Sequence, residues 1–439
     1  MKAKIVIAGG GVLGLSVAMH CAKKNDPVTE PVVLLDRGNL GAGSSIRSGA
    51  VLRQYDTQRA KAAMARDSLR YYEAMVRNTG RSVGFKRTGV LTLAGPEQAE
   101  AIQQIREAID MQASIGIQVK LVGAEQVRYL IPGIQVSDEV IGAYEPGGGT
   151  VDPMLTLQCF ATLARSYGAT VRMGGSEVTE LIIEDGRVVG VVTPRGEIRT
   201  EHVVITAGPW ANRFLARYGV SLPVEIIRPS YLFVSMPGSD EADDLLEGDD
   251  LFSTAYRKKD ELGLLFKGES PRDLDEEVEM RFGAGEGDDV PAPHPVLHDL
   301  EADFYAKPEP SNGRTRISQL SPKNHLRVED PETYEKEVNP EFGKEMRDSV
   351  VKRLPFYAER ENIGTDSNLV CQTPDGRGLI GPVEELPGLY IISGFMGKDF
   401  NLAPSVGEGV AQMLAGEPVS AFDTEFFSPA RFGSLAAKA

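Results

Sequence analysis

Three glycines and one acid near the start of the chain form a pattern suited to phosphate and ribose recognition. Gly9-Gly10-Gly11-Val12-Leu13-Gly14 fits G-x-G-x-x-G, and Asp36 follows Gly14 by 22 residues. Gly9 permits a sharp turn, Gly11 lets backbone approach a pyrophosphate, and Gly14 lets a helix pack closely on a strand. A helix starting there offers unpaired N–H groups and a partial positive charge to phosphates. Asp36, followed by Arg37, can accept hydrogen bonds from ribose hydroxyls. Gly41-Ala42-Gly43-Ser44-Ser45 comes next, and its hydroxyls suit phosphate or a polyol chain.

The elements that must hold these residues are legible around them. Ile5 to Ala8 is a short apolar run, Leu15 to Lys23 reads as a helix, and Val32 to Leu35 is a second apolar run. Strand, glycine turn, helix, strand and acid make a dinucleotide-binding βαβ unit. Lys2 and Lys4 before an apolar stretch suggest a signal peptide, but the consecutive glycines and the lack of a small-residue cleavage site argue against one. Asp152-Pro153 opens a helix to about Tyr167, with Asp152 as N-cap and Pro153 in the first turn. Ala169 to Thr200 reads as successive strands with a hairpin turn at Asp185-Gly186. Val203 to Gly208 and Gly388 to Gly394 read as buried strands. Arg59 to Thr79 and Gly95 to Ile115 carry helical periodicity, and a helix is expected from about Pro404 to Leu414.

Composition bounds the rest. The 439 residues allow two or three domains, with 41% hydrophobic and 25% charged residues, as in ordinary globular proteins. No apolar run reaches membrane-spanning length. A net charge of −16 disfavours nucleic acid and anionic membranes as partners, though not small anions. Cys21, Cys159 and Cys371 form no C-x-x-C and are odd in number, which points to a reduced, cytoplasmic compartment. No zinc-ligand spacing links them to the five histidines, and no metal is expected. His294 and His298 fall in a Pro-rich stretch that reads as a solvated loop. Ser235 to about Asp348, with acidic runs at 240–250 and 273–279, reads as largely solvated loops.

Four blocks together resemble the FAD-dependent amine and amino-acid oxidoreductases of the D-amino-acid oxidase superfamily, on the sarcosine oxidase and dimethylglycine dehydrogenase branch. They are Ile5 to Asp36; Gly41 to Tyr55; Gly147 to Trp210, with Gly149-Thr150-Val151-Asp152-Pro153 and Ile205-Thr206-Ala207-Gly208-Pro209-Trp210; and Thr373 to Gly416, with Thr373-Pro374-Asp375-Gly376 and Gly394-Phe395-Met396-Gly397. The resemblance implies a mixed α/β fold. A Rossmann-type FAD-binding domain (1–58, 147–222 and 355–439) would be interleaved with an antiparallel-sheet substrate domain (59–146 and 223–354).

It also implies site roles. FAD would be held without a covalent bond by Gly9, Gly11, Val12, Leu13, Gly14, Asp36, Arg37, Gly43, Ser44, Ser45, Val178, Ala207, Gly208 and Trp210. Gly394, Gly397, Lys398, Asp399 and Phe400 would lie at the flavin, with the positive end of the following helix aimed at it. Arg53 would grip a substrate carboxylate through two parallel hydrogen bonds, its alternatives being a surface position or a pair with Asp56. Arg47 is a second candidate. Lys398 would stabilise reduced flavin, bind an anion or assist oxygen, the alternative being an ion pair with Asp399. Lys267 is a weaker candidate for oxygen.

Departures from the family pattern matter as well. Val370 stands where glycine-oxidase-like members carry Arg. Asn368 stands where monomeric sarcosine oxidases carry the flavin-linking Cys, and Cys371 is out of register. Gly397-Lys398-Asp399 replaces a Gly-His-Gly, and Asn401 replaces a substrate-contacting Lys. The expected activity is oxidation of the C–N bond of an amino acid, an N-methyl or other secondary amine before a primary one, with oxygen or another carrier as acceptor. One alternative is a 2-hydroxy acid or glycerol-phosphate-type dehydrogenase, which needs a His base that the flavin-facing blocks lack. Another is a flavoprotein subunit of a heteromeric oxidase. Homo-oligomer and heteromeric complex both stay open as assemblies.

Overall fold

The computed structural model describes residues 1–236 and 294–436. Two sheets organise it. The first has six strands in the order Leu379–Pro382, Leu389–Ser393, His202–Ile205, Ile5–Ala8, Val32–Leu35 and Thr170–Arg172. All neighbours are parallel except the antiparallel edge pair Leu379–Pro382 and Leu389–Ser393. Ile5–Ala8 and Val32–Leu35 are apolar at every position because both faces of the sheet are covered. Ile5, Ile7, Leu34 and Val204 face one core, shared with the helices Val12–Lys24, Pro153–Ser166 and Asp399–Leu414. Val6, Val33, Val203 and Ile205 face the other, shared with Leu181, Val188, Val191 and Ile198 of a three-stranded antiparallel sheet. Asp185-Gly186 joins two of those strands, as the sequence predicts. Asp152 caps its helix as expected, accepting from the Leu155 N–H at 2.8 Å.

The second sheet has eight strands, in the order Asn362–Ser367, Ser230–Ser235, Arg314–Gln319, Phe304–Glu309, Val296–Asp299, Val90–Ala94, Ile141–Glu145 and Lys120–Val122. It is antiparallel but for one parallel pair, Val296–Asp299 with Val90–Ala94. Its two faces differ in chemistry. Leu91, Leu297, Ala306, Ile317 and Leu232 point one way into an apolar core with Met346 and Val350 of the helix Pro340–Arg353. His298, Tyr305, Lys307 and Arg316 alternate with them and point the other way. The helix Arg59–Thr79 buries Met64, Leu69, Tyr72 and Met75 in the first core, beside the helices Val12–Lys24 and Asp399–Leu414.

Two expectations need correction here. From residue 294 onward the stretch read as solvated loop is built of strands and a helix, and His294 and His298 are buried. The acidic runs and Lys267 lie outside the described residues. The alternation Tyr305, Lys307, Glu309 and Arg314, Arg316, Ser318 is a strand signal masked by its charge, because the charged face is turned inward.

The last long helix also starts earlier than Pro404. It begins at Asp399, and Pro404 lies inside it. A proline there leaves the carbonyl four residues back, Phe400, without its helical donor. The buried Tyr72 hydroxyl replaces that donor at 2.7 Å. Tyr72→Phe is therefore expected to lower stability by about 1–3 kcal/mol, the usual cost of orphaning a buried acceptor. A denaturant midpoint equal to wild type would show the carbonyl satisfied in another way.

Candidate active site

A cavity of about 620 Å³ runs along the C-terminal ends of the parallel strands. That lies within the ordinary range for cofactor sites, roughly 300–1,000 Å³. Gly9, Gly11, Val12, Leu13, Asp36, Arg37, Gly43, Ser44 and Ser45 line its first half, with Val178, Ala207, Gly208 and Trp210. Gly394, Gly397, Asp399 and Phe400 line its other end, with Asn368 to Cys371. Gly14, Arg53 and Lys398 do not line it. Gly14 sits instead at the helix–strand contact, where a Cβ would collide with the Gly9 carbonyl and fall 2.5 Å from Thr206 Oγ1.

The glycine turn has the geometry a pyrophosphate cradle needs. Gly9 takes φ +121°, reserved for glycine, and Gly11 begins the helix Val12–Lys24. Asp36 accepts from the Gly10 N–H at 2.6 Å through one oxygen and from the Gly38 N–H at 2.7 Å through the other. Each oxygen keeps a lone pair for another donor. Ser45 Oγ accepts from the Val12 N–H at 3.1 Å. Arg37 stacks on Trp210 at 4.9 Å and pairs with Glu332. The Trp210 indole N–H is buried with no partner among the described residues. A polar cradle, a carboxylate with spare lone pairs and an orphaned donor fit a dinucleotide such as FAD.

Arg53 is fixed from two sides. Its main chain pairs twice with Asn401, N–H to Oδ1 at 3.0 Å and C=O from Nδ2 at 2.8 Å. Asn401 belongs to the first turns of the helix Asp399–Leu414, beside the cavity residues Asp399 and Phe400. One donor and one acceptor site of the Asn401 amide are thus used on backbone. The Arg53 guanidinium donates through NH1 to His298 Nδ1 at 2.9 Å, and not to Asp56. Arginine can only donate, so Nδ1 is the bare nitrogen and the proton sits on Nε2. Burial, with Arg53 and Lys398 nearby, holds the imidazole neutral, well below its usual range. Glu145, also buried, accepts from the Gln54 and Tyr55 N–H groups at 2.8 and 2.9 Å and so shapes the Arg53 segment. His298, Glu145 and Asn401 escaped the site list drawn from sequence, because they come from three separate elements.

Lys398 pairs with Asp56 at 2.6 Å rather than with its neighbour Asp399. Lys61 shares that carboxylate at 3.6 Å. Burial lowers the Lys398 ammonium to about 8, so it stays charged at neutral pH. Burial raises the Asp399 carboxyl to about 6. Arg47 is half exposed, 3.7 Å from Asp366. Cys371 is buried and its thiol is pushed up to about 12, a poor nucleophile. No helix among the described residues is long and apolar enough to cross a membrane.

Comparison with known proteins agrees with this geometry. The chain is 25% identical over 445 residues to rat (Rattus norvegicus) mitochondrial dimethylglycine dehydrogenase, covering 98% of this chain but 45% of that enzyme. It therefore spans about half the length of that relative. It is 24% identical over 442 residues to glycine oxidase from Pseudomonas aeruginosa, covering 98% of this chain and 99% of that one. The fold matches that of L-proline dehydrogenase from P. horikoshii with a TM-score of 0.76, at 24% identity and 98% coverage of both chains. The family described as FAD dependent oxidoreductase (DAO) matches residues 4–413, and the chain belongs to it.

Proposed function

We propose that the chain uses FAD to oxidise the C–N bond of an amino acid, with an N-methyl or other secondary amine preferred. The observation that carries this is the placement of Arg53. Asn401 ties it to the helix whose first turn lines the cofactor cavity, and His298 ties its guanidinium to the polar face of the second sheet. Among the described residues NH2 and Nε have no partner, which leaves them to grip a carboxylate in parallel and fix the amine end against the cavity. The similarity to a dimethylglycine dehydrogenase and a glycine oxidase supports the same substrate class.

The residues divide the work. Gly9, Gly11, Val12, Leu13 and Gly14 form the pyrophosphate turn, Asp36 holds ribose, and Ser44 and Ser45 hold phosphate or ribityl oxygens. Arg37, Gly43, Val178, Ala207, Gly208 and Trp210 enclose the nucleotide. Gly394, Gly397, Asp399 and Phe400 form the floor at the flavin end, where the helix N-terminus adds partial positive charge. Lys398 adds a full charge behind that floor, held in place by Asp56. When bound, FAD supplies a two-electron acceptor: the carbon beside nitrogen gives up hydride, and water converts the imine to an amine and a carbonyl compound.

We place the cofactor domain at 1–58, 147–222 and 355–439 and the substrate domain at 59–146 and 223–354, with two exceptions: Asn362–Ser367 is an edge strand of the second sheet, and Arg59–Thr79 packs in the first core. Non-covalent FAD fits the buried, protonated Cys371, and the free buried cysteines fit a cytoplasmic setting. Oxygen or another carrier takes the electrons.

His298 supplies the histidine that a 2-hydroxy acid dehydrogenase would need, which the flavin-facing blocks lacked. Its accepting nitrogen is taken by Arg53 and the other already carries the proton, so it cannot serve as base. The amine reading stands ahead for that reason. The deciding experiment is anaerobic titration of the FAD-loaded protein with N-methyl amino acids, primary amino acids and 2-hydroxy acids. Bleaching by N-methyl amino acids at the lowest concentration is the expected result. Bleaching by hydroxy acids alone would replace the amine reading.

A further inference from the structure

Among the described residues, the inward polar face of the second sheet carries more positive charge than Glu309 can match. Glu309 accepts from Arg316 Nε at 2.8 Å, Arg314 Nε at 2.9 Å and Lys307 Nζ at 3.3 Å. Three cations share one anion, and Lys307 and Arg316 are each 5% exposed. Buried charge is costly unless it is matched, and the described residues leave this network with a net positive charge. The three cations are not equally engaged. Arg316 also donates to the Arg47 carbonyl at 2.7 Å and lies over Tyr231 and Phe233 at 4.8 and 5.0 Å. Arg314 lies over Phe233 at 4.0 Å. Lys307 has three donors, and among the described residues Glu309 is its only hydrogen-bond partner.

Register places Lys307 close to the substrate anchor. His298, which holds the Arg53 guanidinium, lies directly opposite Tyr305, and Lys307 follows Tyr305 by two residues on the same face. That is roughly 7 Å along the strand. The Lys307 stem and the Tyr305 hydroxyl both approach Gly49, on the segment that leads to Arg53. We propose that Lys307, with Arg316 behind it, forms a second anion subsite, and that the substrate is an N-substituted amino dicarboxylate of about glutamate length. This rests on Arg53 as the anchor of the first carboxylate. Arg53 takes the carboxylate next to the amine, and Lys307 takes the distal one.

The test compares glutarate with butyrate as dead-end ligands of the FAD-loaded protein, by perturbation of the flavin spectrum and by calorimetry. Glutarate is expected to bind at least about tenfold tighter, the worth of one charge-assisted contact. Lys307→Met should bring the ratio toward one, and Lys307→Arg should keep most of it. Equal binding of the two acids to the wild-type protein would overturn the subsite, and that comparison needs no variant to fold. Anaerobic reduction by N-methylglutamate and by sarcosine separates the two readings. Failure of every N-methyl amino acid to bleach the flavin sinks the amine chemistry, whatever the glutarate ratio. Bleaching by sarcosine with a ratio near one sinks the subsite alone.

Discussion

Arg53→Ala is expected to raise the substrate constant by about two to four orders of magnitude while FAD stays bound. Hydrogen bonds to charged groups contribute about 1.5–3 kcal/mol each, two are lost, and each 1.4 kcal/mol is tenfold. The local fold should survive, because Asn401 and Glu145 hold residues 53–55 by their main chain, which alanine preserves. Arg53→Lys should recover only part of the loss, since an ammonium cannot reproduce the planar two-pronged grip. His298→Leu should have a smaller effect, mostly on KM, by freeing the guanidinium to rotate. Steady-state kinetics, with the visible spectrum as a check on FAD, distinguishes these cases. Unchanged kinetics in Arg53→Ala with a normal spectrum would reduce Arg53 to a strut between the two sheets.

The parts of this molecule that the sequence makes legible are those whose physics is local. The βαβ unit is written in contiguous residues, each glycine answering to its own close contact. Asp152 and Pro153 announce a helix start within two positions. What stays hidden depends on partners far along the chain. Nothing near Arg53 announces His298, 245 residues away. Nothing near Lys398 favours Asp56, 342 residues away, over adjacent Asp399. Charge misleads for a related reason. Lys307, Glu309, Arg314 and Arg316 look like solvent-facing residues, yet their strands turn that face toward the first unit, where Glu309 pairs with all three cations. Their period of two is the signal that outranks their polarity. Pro404 misleads because a proline usually marks a helix start, and only the Tyr72 hydroxyl, from a different helix, permits it further in.

Gly11 and Gly14, three residues apart, should respond to the same substitution in different ways. A Cβ at Gly14 meets backbone: the Gly9 carbonyl, with Thr206 Oγ1 at 2.5 Å. The Gly9 carbonyl is backbone and cannot move without separating the helix Val12–Lys24 from the strand Ile5–Ala8. Gly14→Ala should therefore cost about 3 kcal/mol or more, the upper range for forcing atoms into a packed contact, and should lose FAD along with stability. A Cβ at Gly11 meets only Ser45 Oγ at 3.1 Å, the end of a side chain that can rotate. Gly11 also has an ordinary φ of −71°. Gly11→Ala should fold with a midpoint close to wild type when both are stripped of cofactor. It should still bind FAD at least about tenfold more weakly, because the methyl group occupies the line of approach to the pyrophosphate. Denaturant unfolding of the apo proteins and fluorescence titration with FAD read the two effects separately. If Gly11→Ala binds FAD as tightly as wild type, the phosphates do not pass over this turn, and the assignment of Gly9 to Gly14 as their cradle falls with it.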